Sequence, residues 1–189
     1  MAIALIQGYA EGLKEGVNED AESREFYCDV IMDEASKMNQ MVKNLLTLNQ
    51  LEFGDEDIVF ERFNLTALVK GVLQSMEIMA DQAGAKIMLH TEEDIYAWAD
   101  EFKVEQVVRN YVSNACHHVS GDMVIEVKMV QKDGKVRVSV FNTGNPIPEA
   151  DAPHIWDKFY KVDKARTRAY GASGIGLSIV KAVSYTHLT

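Results

Sequence analysis

Ile3, Ile6, Ala10, Leu13 and Val17 recur along the chain at steps of three and four residues. Tyr27, Ile31, Met38, Met41, Leu45 and Leu48 keep the same seven-residue period, with Glu34 the one charged interruption. This spacing gathers apolar side chains into one stripe of a helix. Residues 1 to about 53 are therefore predicted to be two helices, with the polar residues 18–23 as the turn. A hairpin of two helices is too thin to bury its own stripe. A second copy, completing a four-helix bundle, is one way to cover it. The other is an ordinary helical core inside a monomer.

Beyond an acidic, glycine-containing stretch at 52–57, read as a linker, the period changes. Residues 58–63 have the pattern of a short strand. Asn64 is placed to cap a helix carrying Leu65, Leu68, Val69, Val72, Leu73 and Met76. Residues 86–90 and 95–98 are further short strands, and Asp100 is placed to cap a helix running to about His118. Residues 124–130 and 136–141 alternate on either side of Asp133-Gly134, a strong hairpin signal. Val136, Val138 and Val140 fall on one face of the second strand, Arg137 and Ser139 on the other. Residues 142–170 read as loop and hold all three prolines. A glycine-rich turn and a last helix follow. Helices with a mostly antiparallel sheet predict an α+β chain whose second part is a two-layer α/β sandwich.

Composition narrows the chemistry. The formal charge is -10, which argues against a nucleic-acid groove lined with Lys and Arg. Cys28 and Cys116 match no metal spacing. Cys116, among apolar helix positions, reads as a buried reduced thiol, and a reducing compartment fits two such cysteines. No apolar run approaches the roughly 18 residues of a membrane span, and the start of the chain does not read as a signal peptide. The expectation is a soluble piece.

The most informative motif is 171–180, Gly-Ala-Ser-Gly-Ile-Gly-Leu-Ser-Ile-Val. Glycines crowd a turn, and an apolar helical run follows at once. Glycine allows positive φ and close backbone approach. A helix start adds unpaired N–H groups and the positive end of a dipole. Together they form an anion cradle, for which phosphate is the usual occupant. On the helix from Asp100, Gln106, Asn110, Asn114 and His117 stand four, four and three apart and share one face. Amide oxygens can complete a Mg²⁺ shell beside phosphate oxygens. Taken alone, such a stripe also reads as a solvated face. In 142–148, Gly144 can let the backbone approach a flat base and Asn142 can recognise an exocyclic amine. A plain turn uses the same residues. In 155–166, aromatics and basic residues interleave in a long loop, which suits a lid beside a triphosphate or a charged surface helix.

In this order and at these spacings the motifs resemble the ATP-binding region of sensor histidine kinases, a fold of the GHKL or Bergerat type shared with heat-shock chaperones and type II topoisomerases. The Asn110 and Asn114 helix resembles the family's N box, 142–147 its first glycine box, 155–160 its F box and 171–177 its second glycine box. The first two helices resemble its dimerisation and phosphoacceptor hairpin. The resemblance implies ATP and Mg²⁺ as cofactors and transfer of the γ-phosphoryl group to a histidine, then to an Asp of a response regulator. It implies that Asn114 ligates Mg²⁺ and that Asn110 assists the metal or phosphates. Relatives that hydrolyse ATP with water carry Glu there, and Asn cannot act as a general base. His117 stands where many members have Lys or Arg near a phosphate. Asn142 replaces the family's usual adenine-reading Asp, and Ala172 a common Gly. Ile147, Phe159, Tyr160, Lys161, Arg166, Gly171, Ser173, Gly174, Ile175, Gly176 and Leu177 complete the implied nucleotide site.

The resemblance also implies partners and departures. The implied partners are a second copy through the N-terminal helices and a response-regulator receiver domain. The alternatives left open are an ATP-driven machine without kinase chemistry and a dimerisation module with a degenerate nucleotide site. The implied domains are 1–53 and 54–183. The family's acceptor histidine is expected a few residues before Met1, since His90, His117, His118, His154 and His187 all lie outside the hairpin. The family's last two strands are expected beyond Thr189, and their loss exposes a sheet edge. Residues 183–189 resemble translated read-through of a sequencing adaptor rather than the family's helix. The chain is expected to be a cytoplasmic portion whose parent is anchored in the membrane.

Overall fold

The computed structural model describes residues 2–16, 20–53, 59–162 and 174–187. The chain divides into two compact units, Met1–Thr47 and Leu48–Thr189.

The first unit is helical. Helix α1 spans Ala2–Lys14. Helix α2 spans Ala21–Phe53, its last turns belonging to the second unit. Asp20 starts α2 by accepting from the Ser23 N–H at 2.7 Å, as a capping carboxylate does. The two helices meet where Tyr9 sets its ring edge-on to Tyr27 at 4.7 Å. A Cβ on Gly12 would stand 2.8 Å from the Tyr27 ring, so glycine is what lets that ring lie on α1. The unit buries no described residue completely. Of the stripe predicted from the sequence, Ile3, Met41 and Leu45 are exposed, and Phe26, Met32 and Leu46 outside the stripe are more than half exposed. Helix α2 continues through residues 52 and 53, which the sequence assigned to a linker; residues 54–58 lie outside the described residues.

The second unit is α+β. Its elements are β1 (Glu61–Asn64), α3 (Leu65–Ser75), α4 (Glu77–Gln82), β2 (Lys86–His90), β3 (Tyr96–Ala99), α5 (Glu101–His118), β4 (Val124–Lys132), β5 (Lys135–Asn142) and α6 (Gly176–His187). Asn64 caps α3 through the Ala67 N–H at 2.9 Å. Asp100 caps α5 through the Lys103 N–H at 3.0 Å. Asp133 and Gly134 both take positive φ, 52° and 71°, the geometry of a type I′ hairpin turn.

Three expectations need correction. The first strand begins three residues later than the sequence suggested. The short helix α4 was missed, because its six residues are too few for a period to show. The strand pairing is mostly antiparallel, as expected, but it includes one parallel pair that the sequence did not suggest. Strands β1 and β3 pair antiparallel as a two-stranded sheet, while the other sheet has the order β2-β4-β5 with β2 and β4 parallel. Parallel neighbours need a long crossover, and the chain from β2 to β4 supplies it through β3 and α5.

The core lies between α3, α5 and the three-stranded sheet. Val69, Val112, Ile125 and Val127 are its fully buried members. A smaller cluster joins Leu48 to Ile175, Ile179 and Val183 of the last segment, with Val107 of α5 packed against it. Helix α6 continues without a break through residues 183–187, the stretch the sequence sets apart as foreign.

Candidate nucleotide site

Helix α5 organises the candidate residues. Val108, Val112, Ala115 and Cys116 are buried in the core, which turns the polar stripe of Gln106, Asn110, Asn114 and His117 away from it. Burial pushes the Cys116 thiol up, so it is held protonated and inert. The amide nitrogen of Asn110 donates to the Gln106 carbonyl at 2.8 Å. That bond fixes which way the Asn110 amide points. Its oxygen faces the glycine turn: a Cβ on Gly176 would stand 3.1 Å from Asn110 Oδ1. The sequence placed these two residues 66 positions apart; the fold brings them together at the start of α6.

One turn further along α5, Asn114 is half-buried. His117 Nδ1 lies 2.6 Å from the Ser113 carbonyl. A carbonyl only accepts, so Nδ1 carries the proton. Nε2 is then a donor only when the ring is charged.

The far end of α5 meets the first glycine loop. The Ser120 N–H donates to the Thr143 carbonyl at 2.9 Å. Asn142, the last residue of β5, donates its amide nitrogen to the same carbonyl at 3.1 Å, which leaves its oxygen as the acceptor. Gly144 has φ 148°, and a Cβ there would stand 2.8 Å from the His118 carbonyl oxygen and 3.0 Å from Ser120 Oγ. The chain's own packing thus calls for glycine at 144. Ile147 beyond it is exposed. Asn110 and His118 are eight residues apart, about 12 Å along the helix, so the glycine turn and the first glycine loop flank one stretch of α5.

A third segment closes onto the glycine turn. The Phe159 N–H donates to the Gly174 carbonyl at 2.9 Å. Gly174 has φ 71°, and a Cβ there would stand 3.0 Å from the Phe159 carbonyl carbon and from the Tyr160 oxygen. Phe159 itself is held at φ 64°, a costly conformation for an aromatic residue. Tyr160 donates its hydroxyl to Asp151, and that bond pushes the phenol pKa up. Asp151 was not singled out from the sequence, where no period links it to Tyr160. Lys161 is half-buried, and burial lowers its pKa. Ile175 is fully buried and Leu177 half-buried. Ser178 Oγ donates to the Ile175 carbonyl at 2.7 Å, which tightens the first turn of α6. Arg166, Gly171 and Ser173 lie outside the described residues, as does Ala172.

The donor chemistry fits a cation that arrives with phosphate. Among the described residues no group of three or more His, Cys, Asp or Glu can hold a metal ion. Asn110 and Asn114 offer neutral hard oxygens, and Mg²⁺ needs only one or two such ligands when phosphates and waters complete its shell.

Comparison with known proteins agrees with this geometry. The family model described as histidine kinase-, DNA gyrase B- and HSP90-like ATPase matches residues 99–188, from the cap of α5 to the end of α6. The catalytic domain of histidine kinase ThkA is 31% identical, with a TM-score of 0.58 over 68% of this chain and 84% of that one. The chain belongs to the sensor histidine kinase family. Sensor histidine kinase WalK of Bacillus subtilis strain 168 is 28% identical over 187 residues, 98% of this chain and 31% of WalK. The chain thus spans about a third of that relative's length. Both units are matched by histidine kinase ThkA solved in complex with response regulator protein TrrA: 27% identity and a TM-score of 0.72 over 89% of this chain and 50% of that one. As in the sequence analysis, the fold is the α+β architecture of a kinase ATP-binding domain preceded by helices.

Proposed function

We propose that this chain is the dimerising and ATP-binding part of a sensor histidine kinase whose parent passes the γ-phosphoryl group of Mg-ATP to a histidine and then to an aspartate of a response regulator. The observation that carries the reading is Asn110 Oδ1 set against Gly176, the first residue of α6. A hard oxygen beside the N–H groups of a helix start supports a site for a metal-bound phosphate. In this reading Asn114 ligates Mg²⁺, Asn110 supports the metal or phosphates, and the turn at Gly174, Ile175, Gly176 and Leu177 receives the phosphates. Asn142 presents an acceptor to the adenine amine, Ile147 flanks the base, and Phe159, Tyr160, Lys161 and Arg166 belong to the lid. Bound Mg²⁺ neutralises the triphosphate, and the chain's own residues bind and orient it. An amide rather than a carboxylate at 110 leaves no general base for water, which favours transfer over hydrolysis.

The domains in this reading are the hairpin 1–53 and the ATP-binding part 54–183, with 183–189 a foreign tail. The hairpin pairs with a second copy. The response regulator solved with ThkA supports a receiver domain as the phosphoryl acceptor's partner. None of the five histidines lies in α1 or α2, so the phosphorylated histidine belongs to an added segment of the parent. No helix among the described residues is long and apolar enough to cross a membrane, which suits a cytoplasmic portion of an anchored parent.

Titration with a fluorescent ATP analogue tests this. Saturable binding that weakens at least tenfold without Mg²⁺, and equally in Asn114→Ala, is expected. Binding indifferent to both Mg²⁺ and Asn114→Ala would falsify the assignment. A chain extended to include the family's histidine segment is expected to yield acid-labile phosphoprotein.

A further inference from the structure

Gln106 carries the one side-chain oxygen or nitrogen among the described residues that is fully buried and has no hydrogen-bond partner, its Oε1. Leaving a buried acceptor unmet is costly, and such groups in native proteins call for an explanation. The position narrows the explanation. Gln106 stands one helical turn before Asn110, on the stripe that continues to Asn114. Its own backbone carbonyl already takes the Asn110 amide nitrogen at 2.8 Å. The second N–H of that amide makes no bond to Gln106 Oε1, nor does any other group among the described residues, so the missing donor is to be sought outside the helix. Its neighbours on the stripe present oxygens suited to a hydrated cation. Waters bound to such a cation are strong donors, and Mg²⁺ keeps several of them when bound by few protein ligands.

We propose that Gln106 is a further positioning residue of the nucleotide site, its half-buried side chain turning so that the carboxamide oxygen accepts a hydrogen bond from a water carried by the magnesium nucleotide. The inference rests on the nucleotide reading given above. It makes Gln106 an acceptor that the described residues leave unmet and the ligand satisfies. Stability and binding then respond to its removal in opposite directions, as expected where a strained group is retained for function.

The test is Gln106→Leu, similar in size and without polar atoms, measured in the full chain. Thermal unfolding without nucleotide is expected at a higher temperature than in the parent chain. Affinity for the fluorescent ATP analogue in Mg²⁺ is expected to fall at least fivefold, while the much weaker affinity in EDTA stays the same. Gln106→Glu, which keeps an acceptor, is expected to retain the Mg²⁺-dependent gain. A lower unfolding temperature in Gln106→Leu would show that the chain itself supplies the donor and would overturn the proposal. Unchanged affinity in Mg²⁺, or an equal loss in EDTA, would overturn it too. If the unsubstituted chain binds no nucleotide, the nucleotide reading fails first, and that outcome is distinct from failure of the Gln106 inference alone.

Discussion

Gly176 lacks a side chain where the fold has little room for one. A Cβ there would stand 3.1 Å from Asn110 Oδ1, tight enough that the amide must give way. Asn110 is tied to the Gln106 carbonyl through its nitrogen, so it can yield only by weakening that bond. The backbone of Gly176 is not in the positive-φ region, so alanine adds no conformational strain. Gly176→Ala is therefore expected to lower affinity for Mg-nucleotide about tenfold while changing the unfolding midpoint little, as read by nucleotide titration beside urea denaturation. A large stability loss with intact affinity would contradict the role given to this contact. The motif residues of this site were legible as residue types, because glycine before a helix and asparagine at helical spacing each have a physical signature. What joins them was not. Nothing in the sequence says that Asn110 meets Gly176, that Phe159 is clasped to Gly174, or that Gly144 packs against the end of α5. Those facts belong to contacts across the fold.

Elements were legible where a local rule fixes them. Asn64 and Asp100 each precede an apolar period and each caps its helix through its side chain. Their contributions differ. Asn64 accepts one N–H, from Ala67. Asp100 accepts from Lys103 with Oδ1 and from the Val59 N–H at 3.3 Å with Oδ2, and it is itself buried. Asn64→Ala is expected to cost about 1 kcal/mol, the ordinary value of a cap. Asp100→Ala is expected to cost about 2–3 kcal/mol, since the Lys103 N–H that it caps is buried and is left unmet, and the Val59 N–H loses its partner as well. Asp100→Asn should recover more than half of that loss. Urea midpoints at constant slope measure all three, and equal costs for Asn64→Ala and Asp100→Ala would show the second bond to be idle. The parallel pairing of β2 with β4 escaped the sequence for a different reason. Strand direction is set by which neighbour a strand finds after α5 crosses over. Alternation within Lys86–His90 is the same for either direction.

The whole molecule carries its imbalance in the first unit. Helix α1 buries no residue. Along α2, Met41, Val42, Leu45 and Leu46 are between 40% and 58% exposed, a run of apolar surface that a water-facing hairpin does not sustain. Pairing two copies about a twofold axis would cover it, and each residue on such a seam would then act twice. A charge placed there is buried twice as well, against its own image. Met41→Glu with Leu45→Glu is therefore expected to weaken self-association by more than a hundredfold. Sedimentation equilibrium should give twice the 21.2 kDa chain mass for the parent chain and the single mass for the variant. Core residues of the second unit are untouched by these changes, so Mg-dependent nucleotide binding should survive in the monomeric variant and show that the chain has not simply unfolded. A parent chain that sediments as a monomer at all accessible concentrations, or a variant that remains dimeric, would mean that the exposed stripe of α2 is covered by something other than its own copy.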